Sequence, residues 1–292
     1  MPHSPQAKPS SAPIAGTGLE LRIGAQTEIG RVRDLNEDRV LVFDLKRHRE
    51  LSAVGTETAS LQPPGVLLVV ADGMGGMSGG ETAAQMCVEN LLANFLQKLD
   101  FHPGGEPLDC GTTLSDAVRE TNDLIYSRAS AEVRLRGMGT TLTAAYLEEE
   151  RMSIAQVGDS RAYRLREGEF VQLTRDQTLL VSLAEQGKLP PGGLGKSWKN
   201  MLLQAVGAQA NLQVAMTESD LRDGDCLLLC SDGLHGSVET EEIAEVLRGA
   251  GNPSEKARAL TVRANESGGP DNISVIVCEV VARPAGMHGE RR

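Results

Sequence analysis

The sequence predicts an α+β protein, an antiparallel β-sandwich with helices packed on its outer faces. Three observations carry this reading. Short, wholly apolar runs at 66–71 (VLLVVA) and 226–230 (CLLLC) stop at Asp72-Gly73 and Ser231-Asp232-Gly233, as buried strands do. Two stretches with helical apolar spacing follow the first run, and two more follow the second. Only strand-like segments lie between these helical blocks, which is not the alternation of a parallel sheet.

The elements follow in order. Residues 1–18 are rich in Pro, Ser and Ala without periodicity, and read as a flexible leader that cannot build a core. After the strand at 66–71, Ala84, Val88, Leu91, Leu92, Phe95 and Leu99 form one apolar helical face. Ser78 and Glu81 fit a capping box at its start. A second helix is expected over 113–130, with Leu114, Ala117, Thr121, Leu124 and Ile125 on one side. Strands are expected over 140–148, 152–157, 161–166 and 170–173, the last two joined by a turn at Glu167-Gly168. Of the two later helices, the second opens with Asn252 as N-cap, Pro253 at the first helical position and Glu255 beyond. A closing strand spans 273–281, and 284–292 read as a flexible tail. No linker or repeat divides residues 19–283, so one domain is expected there.

Composition narrows the function. A chain of 292 residues can bury a substantial core. Its net charge of −11 and pI near 5.0 argue against a binder of nucleic acid or anionic membrane, and suit a protein that collects cations. No apolar run is long enough to span a bilayer, and the leader lacks a signal-peptide core. Cys87, Cys110, Cys226, Cys230 and Cys278 are odd in number and show no CxxC spacing. They read as free thiols, so the cytoplasm is the expected location. The five histidines (His3, His48, His102, His235, His288) have no metal-ligand spacing and read as surface residues.

The acidic residues of interest sit beside glycine or at strand ends: Glu37 and Asp38, Asp72, Asp159, Asp232 and Asp271. That placement could bring them to one rim of the core. Converging carboxylates without matching Lys or Arg repel and take up protons unless cations bind. Hard oxygen donors select Mg²⁺ or Mn²⁺ over zinc, and two such ions can share a bridging carboxylate. Taken singly, each cluster is also an ordinary turn or a solvated face.

Together the segments RDLNED (33–38), VVADGMGG (69–76), GTTL (139–142), VGDSR (157–161), LCSDGL (229–234) and DNIS (271–274) occur in an order that closely resembles the metal-dependent protein phosphatase family, type 2C, in its bacterial single-domain form. The resemblance covers about nine-tenths of the chain. It implies paired antiparallel sheets flanked by helix pairs on both outer faces. It also implies that Asp72 bridges two Mn²⁺ or Mg²⁺ ions, that the Gly73 carbonyl binds one of them, and that Asp232 and Asp271 hold the other. Glu37 and Asp38 would contact the metals directly or through water. Asp159, with Asp232, would hold a possible third ion, and Arg33 would clamp the substrate phosphate, for which a guanidinium's parallel donors are suited. The implied reaction is hydrolysis of phosphoserine or phosphothreonine by a metal-activated water, with no phosphoenzyme. The implied partners are phosphorylated proteins and a Ser/Thr kinase whose work is reversed by a monomeric enzyme.

Two positions depart from the family. Met74 follows the Asp-Gly pair where animal members carry His, and Met cannot donate a proton. Asp176-Gln177 stands where an Asp-His pair is common, at the start of a flap over about 178–203 that contains Pro190, Gly193, Gly195 and the only Trp, Trp198. Lys196 and Lys199 lie in it too, and it reads equally as a substrate-gating surface or an inert loop. Cysteine chemistry is excluded, since the sixth residues after Cys226 and Cys230 are Asp232 and Gly236 rather than Arg. The competing functions are a catalytically weak phosphoprotein-binding scaffold, a phosphatase for a sigma-factor partner-switching regulator, and a phosphatase for small metabolites.

Overall fold

The computed structural model describes residues 18–52, 54–75, 79–100, 109–190, 195, 198 and 201–283, and within them the chain forms two antiparallel sheets laid face to face. The first strands are β1 (Leu19–Glu28), β2 (Asp38–Asp44), β3 (Arg49–Glu50), β4 (Glu57–Ser60) and β5 (Val66–Met74). Helices α1 (Gly79–Asp100) and α2 (Cys110–Ala131) come next. A run of strands follows: β6 (Gly139–Thr140), β7 (Leu142–Glu148), β8 (Arg151–Val157), β9 (Arg161–Arg166) and β10 (Glu169–Gln172). The chain then makes α3 (Leu179–Glu185), β11 (Ala215–Asp220), β12 (Cys226–Cys230) and the single turn α4 (Asp232–His235). It ends with α5 (Thr240–Arg248), α6 (Pro253–Glu266) and β13 (Ile273–Ala282). One sheet runs β10-β9-β12-β13-β1-β4 and the other β11-β8-β7-β5-β2-β3, with β6 beside β5.

Both apolar runs are continuous because their strands are covered on both faces. In β5, Val66, Leu68 and Val70 point between the sheets, while Leu67, Val69 and Ala71 pack under α1 and α2. In β12, Leu227 and Leu229 take the inter-sheet side, while Cys226, Leu228 and Cys230 pack under α5 and α6. Alternate residues along each strand face opposite sides, so a strand between two cores must be apolar throughout. Each fully buried aliphatic side chain contributes about 1.5–3 kcal/mol.

The helical expectations hold with one exception. Ala84, Val88, Leu91 and Phe95 of α1 are buried, with Leu92 and Leu99 packed against the same core. On α2, Leu114, Ala117, Thr121 and Ile125 are buried, but Leu124 is exposed. Ile125 takes the core-facing position, and its neighbour is rotated about 100° away. Asn252 caps α6 by accepting the Glu255 N–H, and the Glu255 side chain returns a bond to the Asn252 N–H. Ser78, the leader 1–17 and the tail 284–292 lie outside the described residues, as do Gly193, Lys196 and Lys199 of the flap. Glu81, the expected capping partner, is ion-paired to Arg39 at 2.8 Å.

Other boundaries shift for physical reasons. The strand expected to stop at Ala71 continues to Met74, because Asp72 pairs with Asp38 and Gly73 with Thr140. The strand expected over 140–148 breaks into β6 and β7 at Thr141, whose hydroxyl is committed to the Asp72 N–H at 3.0 Å. None of the five cysteines is in a disulfide; four are buried and Cys110 is half-buried. Among the described residues, no helix is long and apolar enough to cross a membrane.

Candidate active site

At one end of the sandwich, the termini of β2, β5, β8 and β12 and the start of β13 surround a cleft of about 550 Å³. Its walls include Arg33, Glu37, Asp72, Gly73, Asp159, Asp232 and Asp271, so seven of the eight residues singled out from the sequence meet there. The eighth, Asp38, lies beneath them at 2% exposure, opposite Asp72 in the β2–β5 ladder. Met74, Thr141, Met201 and Leu202 complete much of the lining.

Close backbone packing explains the glycine after Asp72 and after Asp232. A Cβ on Gly73 would lie 2.2 Å from the Gly80 carbonyl oxygen, and one on Gly233 would lie 1.9 Å from the Asn272 carbonyl oxygen. Neither Asp-Gly pair is a surface turn. Gly73 lets β5 run against the start of α1, and Gly233 lets α4 start against the strand that follows Asp271.

The loop carrying Arg33 is held from below by Asn272. Its amide donates to the Ile29 and Leu35 carbonyls at 2.9 and 2.8 Å, and its oxygen accepts the Glu37 N–H at 2.8 Å. The residue after Asp271 therefore sets the position of both Arg33 and Glu37. Arg33 is half-exposed and meets Asp271 at 2.6 Å. Asp38 accepts a bond from the Ser231 hydroxyl at 2.7 Å through Oδ2, while its buried Oδ1 has no partner. Ser231 in turn accepts the Ser274 N–H at 3.0 Å. Of the Asp38–Glu37 pair, Glu37 lines the cleft and Asp38 supports it from underneath.

The electrostatics follow from four aspartates crowded at a buried rim. Burial, and then the charges of Asp38, Asp232 and their neighbours, push the Asp72 carboxyl well above its ordinary range. Burial first and Asp232 second raise Asp159 to about 7. Asp38 also rises to about 7, chiefly by burial, although its bond from Ser231 opposes the shift. Asp232 is raised by burial and by Asp271, and its Oδ1 is a second buried oxygen without a partner. Among the described residues, no three acidic, imidazole or thiol groups close around one point at coordinating range. The donors are spread along the cleft lining, and Asp271 spends an oxygen on Arg33.

These residues fit divalent cations on the donors' chemistry. All the donors are oxygens, two are buried and unpartnered, and the mutual repulsion that raises the aspartates would be relieved by added positive charge.

The sequence missed several supporting residues. His235, expected at the surface, is partly buried, and burial lowers its imidazole to about 4. It is neutral at pH 7, and its Nε2–H donates to the Asp159 carbonyl at 3.0 Å. Arg161 forms a two-pronged ion pair with Asp176, with contacts of 2.9 and 2.6 Å, and so is not free to receive a phosphate. Ser231, Thr141 and Asn272 all lay inside motifs, but small polar residues beside Asp-Gly read as turn formers until their partners are known.

A family model for protein phosphatase 2C matches residues 57–264. The serine/threonine protein phosphatase PstP of Mycobacterium tuberculosis is 35% identical over 92% of this chain. This chain spans only 46% of that relative's length. The serine/threonine phosphatase stp of Listeria monocytogenes is 36% identical over 87% of this chain and 94% of its own. Among solved structures, the catalytic domain of PstP in complex with two manganese ions superimposes with a TM-score of 0.71 at 35% identity, covering 90% of this chain and 99% of that one. A Streptococcus agalactiae serine/threonine phosphatase gives a TM-score of 0.74 at 28% identity, covering 90% and 100%.

Proposed function

The chain belongs to the protein phosphatase 2C family, and on that premise we propose that it hydrolyses phosphoserine and phosphothreonine in proteins, opposing a Ser/Thr kinase. The observation that carries the reading is the meeting of Asp72, Asp232, Asp271 and Asp159 around one cleft that also presents Arg33. The two manganese ions of the related PstP domain support a two-ion centre here. Asp72, Asp232, Asp271, Glu37 and the Gly73 carbonyl are the groups that would hold the ions, with Asp159 beside them. Mn²⁺ or Mg²⁺, when bound, would supply a water acidic enough to attack phosphorus near neutral pH and would neutralise phosphate charge.

The chain's own residues do the rest. Arg33 offers the remaining donors of its guanidinium to the phosphate oxygens and holds the group in line for attack. Ser231 fixes Asp38 through one carboxylate oxygen and leaves the other, buried, without a partner. Asn272 keeps Arg33 and Glu37 in register with Asp271. Met74 lines the cleft and has no proton to give, so the leaving oxygen takes its proton from water or another group.

The test is phosphate release from phosphoserine and phosphothreonine peptides, with nucleotides and sugar phosphates as competitors. Turnover of the peptides should vanish with EDTA and return with Mn²⁺. Full turnover by a metal-stripped preparation, or a preference for the small metabolites, overturns the reading.

A further inference from the structure

A second cavity, of about 390 Å³, lies toward the end of β8 remote from Asp159. At about 3.3 Å per residue, Ser153 stands about 20 Å from Asp159 along the strand direction. The first turn of α2, the ends of β7 and β8 and the strand β11 enclose the cavity. Five acidic residues line it against one base, Arg151, which pairs with Glu148 at 3.4 Å. Two of the acids are committed elsewhere. Asp109 caps α2 and meets the Thr112 hydroxyl at 2.5 Å, and Asp220 pairs with Arg166 and Arg222. Glu150 and Glu218 have no side-chain partner among the described residues.

Ser153 forms part of the cavity wall. It is 7% exposed, and Met152 and Ile154 on either side face the inter-sheet core, so its side chain points toward α2 and the cavity. Its hydroxyl has no hydrogen-bond partner among the described residues, whereas a polar side chain buried this deeply is ordinarily paired. The Glu218 carboxylate stands over the first turn of α2, where a Cβ on Gly111 would lie 2.5 Å from its Oε1. Burial, and then the charge of Glu148, push the Tyr146 hydroxyl and the Cys110 thiol above their ordinary ranges. Both stay neutral, and the walls stay net negative. Among the described residues no three acidic, imidazole or thiol groups close at coordinating range, which suits a cation of spread charge rather than a bare metal ion.

Beside the cavity, β11 is the edge of its sheet, and no strand among the described residues pairs with its outer side. An extended segment can add to such an edge through main-chain hydrogen bonds and place a side chain in an adjoining cavity. We propose that the cavity and the β11 edge form a docking site for a basic stretch of a phosphoprotein substrate, with an arginine side chain entering beside Ser153, Glu150 and Glu218. The planar guanidinium has five donors, enough to serve both carboxylates and the Ser153 hydroxyl together. The inference rests on the proposed function only in taking the arginine to come from a phosphoprotein. A flexible linker of about 15 residues spans about 20 Å. Docking here therefore raises the local concentration at the cleft of a phosphothreonine that far along the substrate.

The experiment uses a blocked, fluorescently labelled peptide of alternating valine and threonine with one central arginine, and a twin in which neutral citrulline replaces it. By anisotropy at low ionic strength, the full chain should bind the arginine peptide about tenfold more tightly than the twin. Glu150→Gln combined with Glu218→Gln, both at exposed positions, should abolish that difference, and Ser153→Ala should reduce it. Hydrolysis of para-nitrophenyl phosphate should be unchanged in these variants, since none of the three residues lines the catalytic cleft. Joined to phosphothreonine through a flexible linker of about 15 residues, the arginine peptide should show a lower KM than its twin, and the double variant should not tell them apart. Equal binding of the two peptides, or a difference that survives in the double variant, overturns the docking site. Agmatine binding as tightly as the arginine peptide overturns a polypeptide as the occupant. A chain that binds the arginine peptide but releases no phosphate from phosphothreonine overturns the proposed function and leaves the docking site in place.

Discussion

Asp72 is the side chain on which most of the cleft depends. It faces Asp38 across the ladder, feels Asp232, Asp159 and Asp271, and would serve both ions at once. Asp72→Asn keeps the shape and removes the charge. Turnover of a phosphopeptide under saturating Mn²⁺ should fall more than tenfold, a loss above about 1.4 kcal/mol in the barrier. A variant retaining over a tenth of the natural rate would remove Asp72 from the bridging role. Arg33 sits differently, half-exposed and paired to Asp271. Arg33→Ala should raise KM for the phosphopeptide without weakening Mn²⁺ binding, because it removes a phosphate donor and frees a carboxylate. An unchanged KM would place the clamp elsewhere. Arg161 is then a poor substitute, being committed to Asp176.

Among the elements, β5 and the start of α1 are bound most tightly to the site. The strand ends on Asp72, Gly73 and Met74, and the Gly73–Gly80 approach leaves no room for a side chain. Gly73→Ala would force the backbone of α1 outward. A destabilisation of about 1–3 kcal/mol is expected, read as a lower midpoint in denaturant, together with weaker Mn²⁺ binding because Asp72 and the Gly73 carbonyl move with the strand. Normal stability and normal Mn²⁺ affinity would show that the approach is not needed. The helices were legible from the sequence for a related reason. Their apolar faces repeat over several turns, so one misplaced residue, Leu124, leaves the element intact. β1 was not singled out, although Leu19, Leu21, Ile23 and Ala25 alternate with Glu20 and Arg22. Short two-residue periodicity is a weaker signal than a helical stripe.

For the whole molecule, the cleft is built at a cost in stability. Asp38 and Asp159 stand at about 7 in the fold against an ordinary value of 3.8. Without metal, the folded chain therefore binds more protons than the unfolded chain between those values. Stability from these groups is full at the acidic end and is lost as pH rises through about 7. Cations reverse this, because their ligands must be deprotonated. The rise in Tm on adding Mn²⁺ to an EDTA-treated sample should be larger at pH 8 than at pH 5.5, and equal rises would contradict the carboxylate assignment. The sandwich core is independent of this chemistry. Leu68 is fully buried between the sheets, and Leu68→Ala should cost about 2–5 kcal/mol in denaturant unfolding. Activity per folded molecule should persist, and a loss of activity without a loss of stability would contradict a purely structural role.

The sequence by itself determined the sandwich class, the helical blocks, the free thiols and the set of acidic residues, because each rests on local periodicity or on a short string of residues. Tertiary structure alone decided how those acids are held. Asn272 reaches back across more than two hundred residues to the loop of Arg33, Ser231 supports Asp38, and the Gln177 side chain accepts the Gly158 N–H beside Asp159. A polar side chain's partner depends on which chain segments the fold brings together. The same Asn, Ser or Gln reads as a turn former, a surface residue or a support until the backbone beside it is placed.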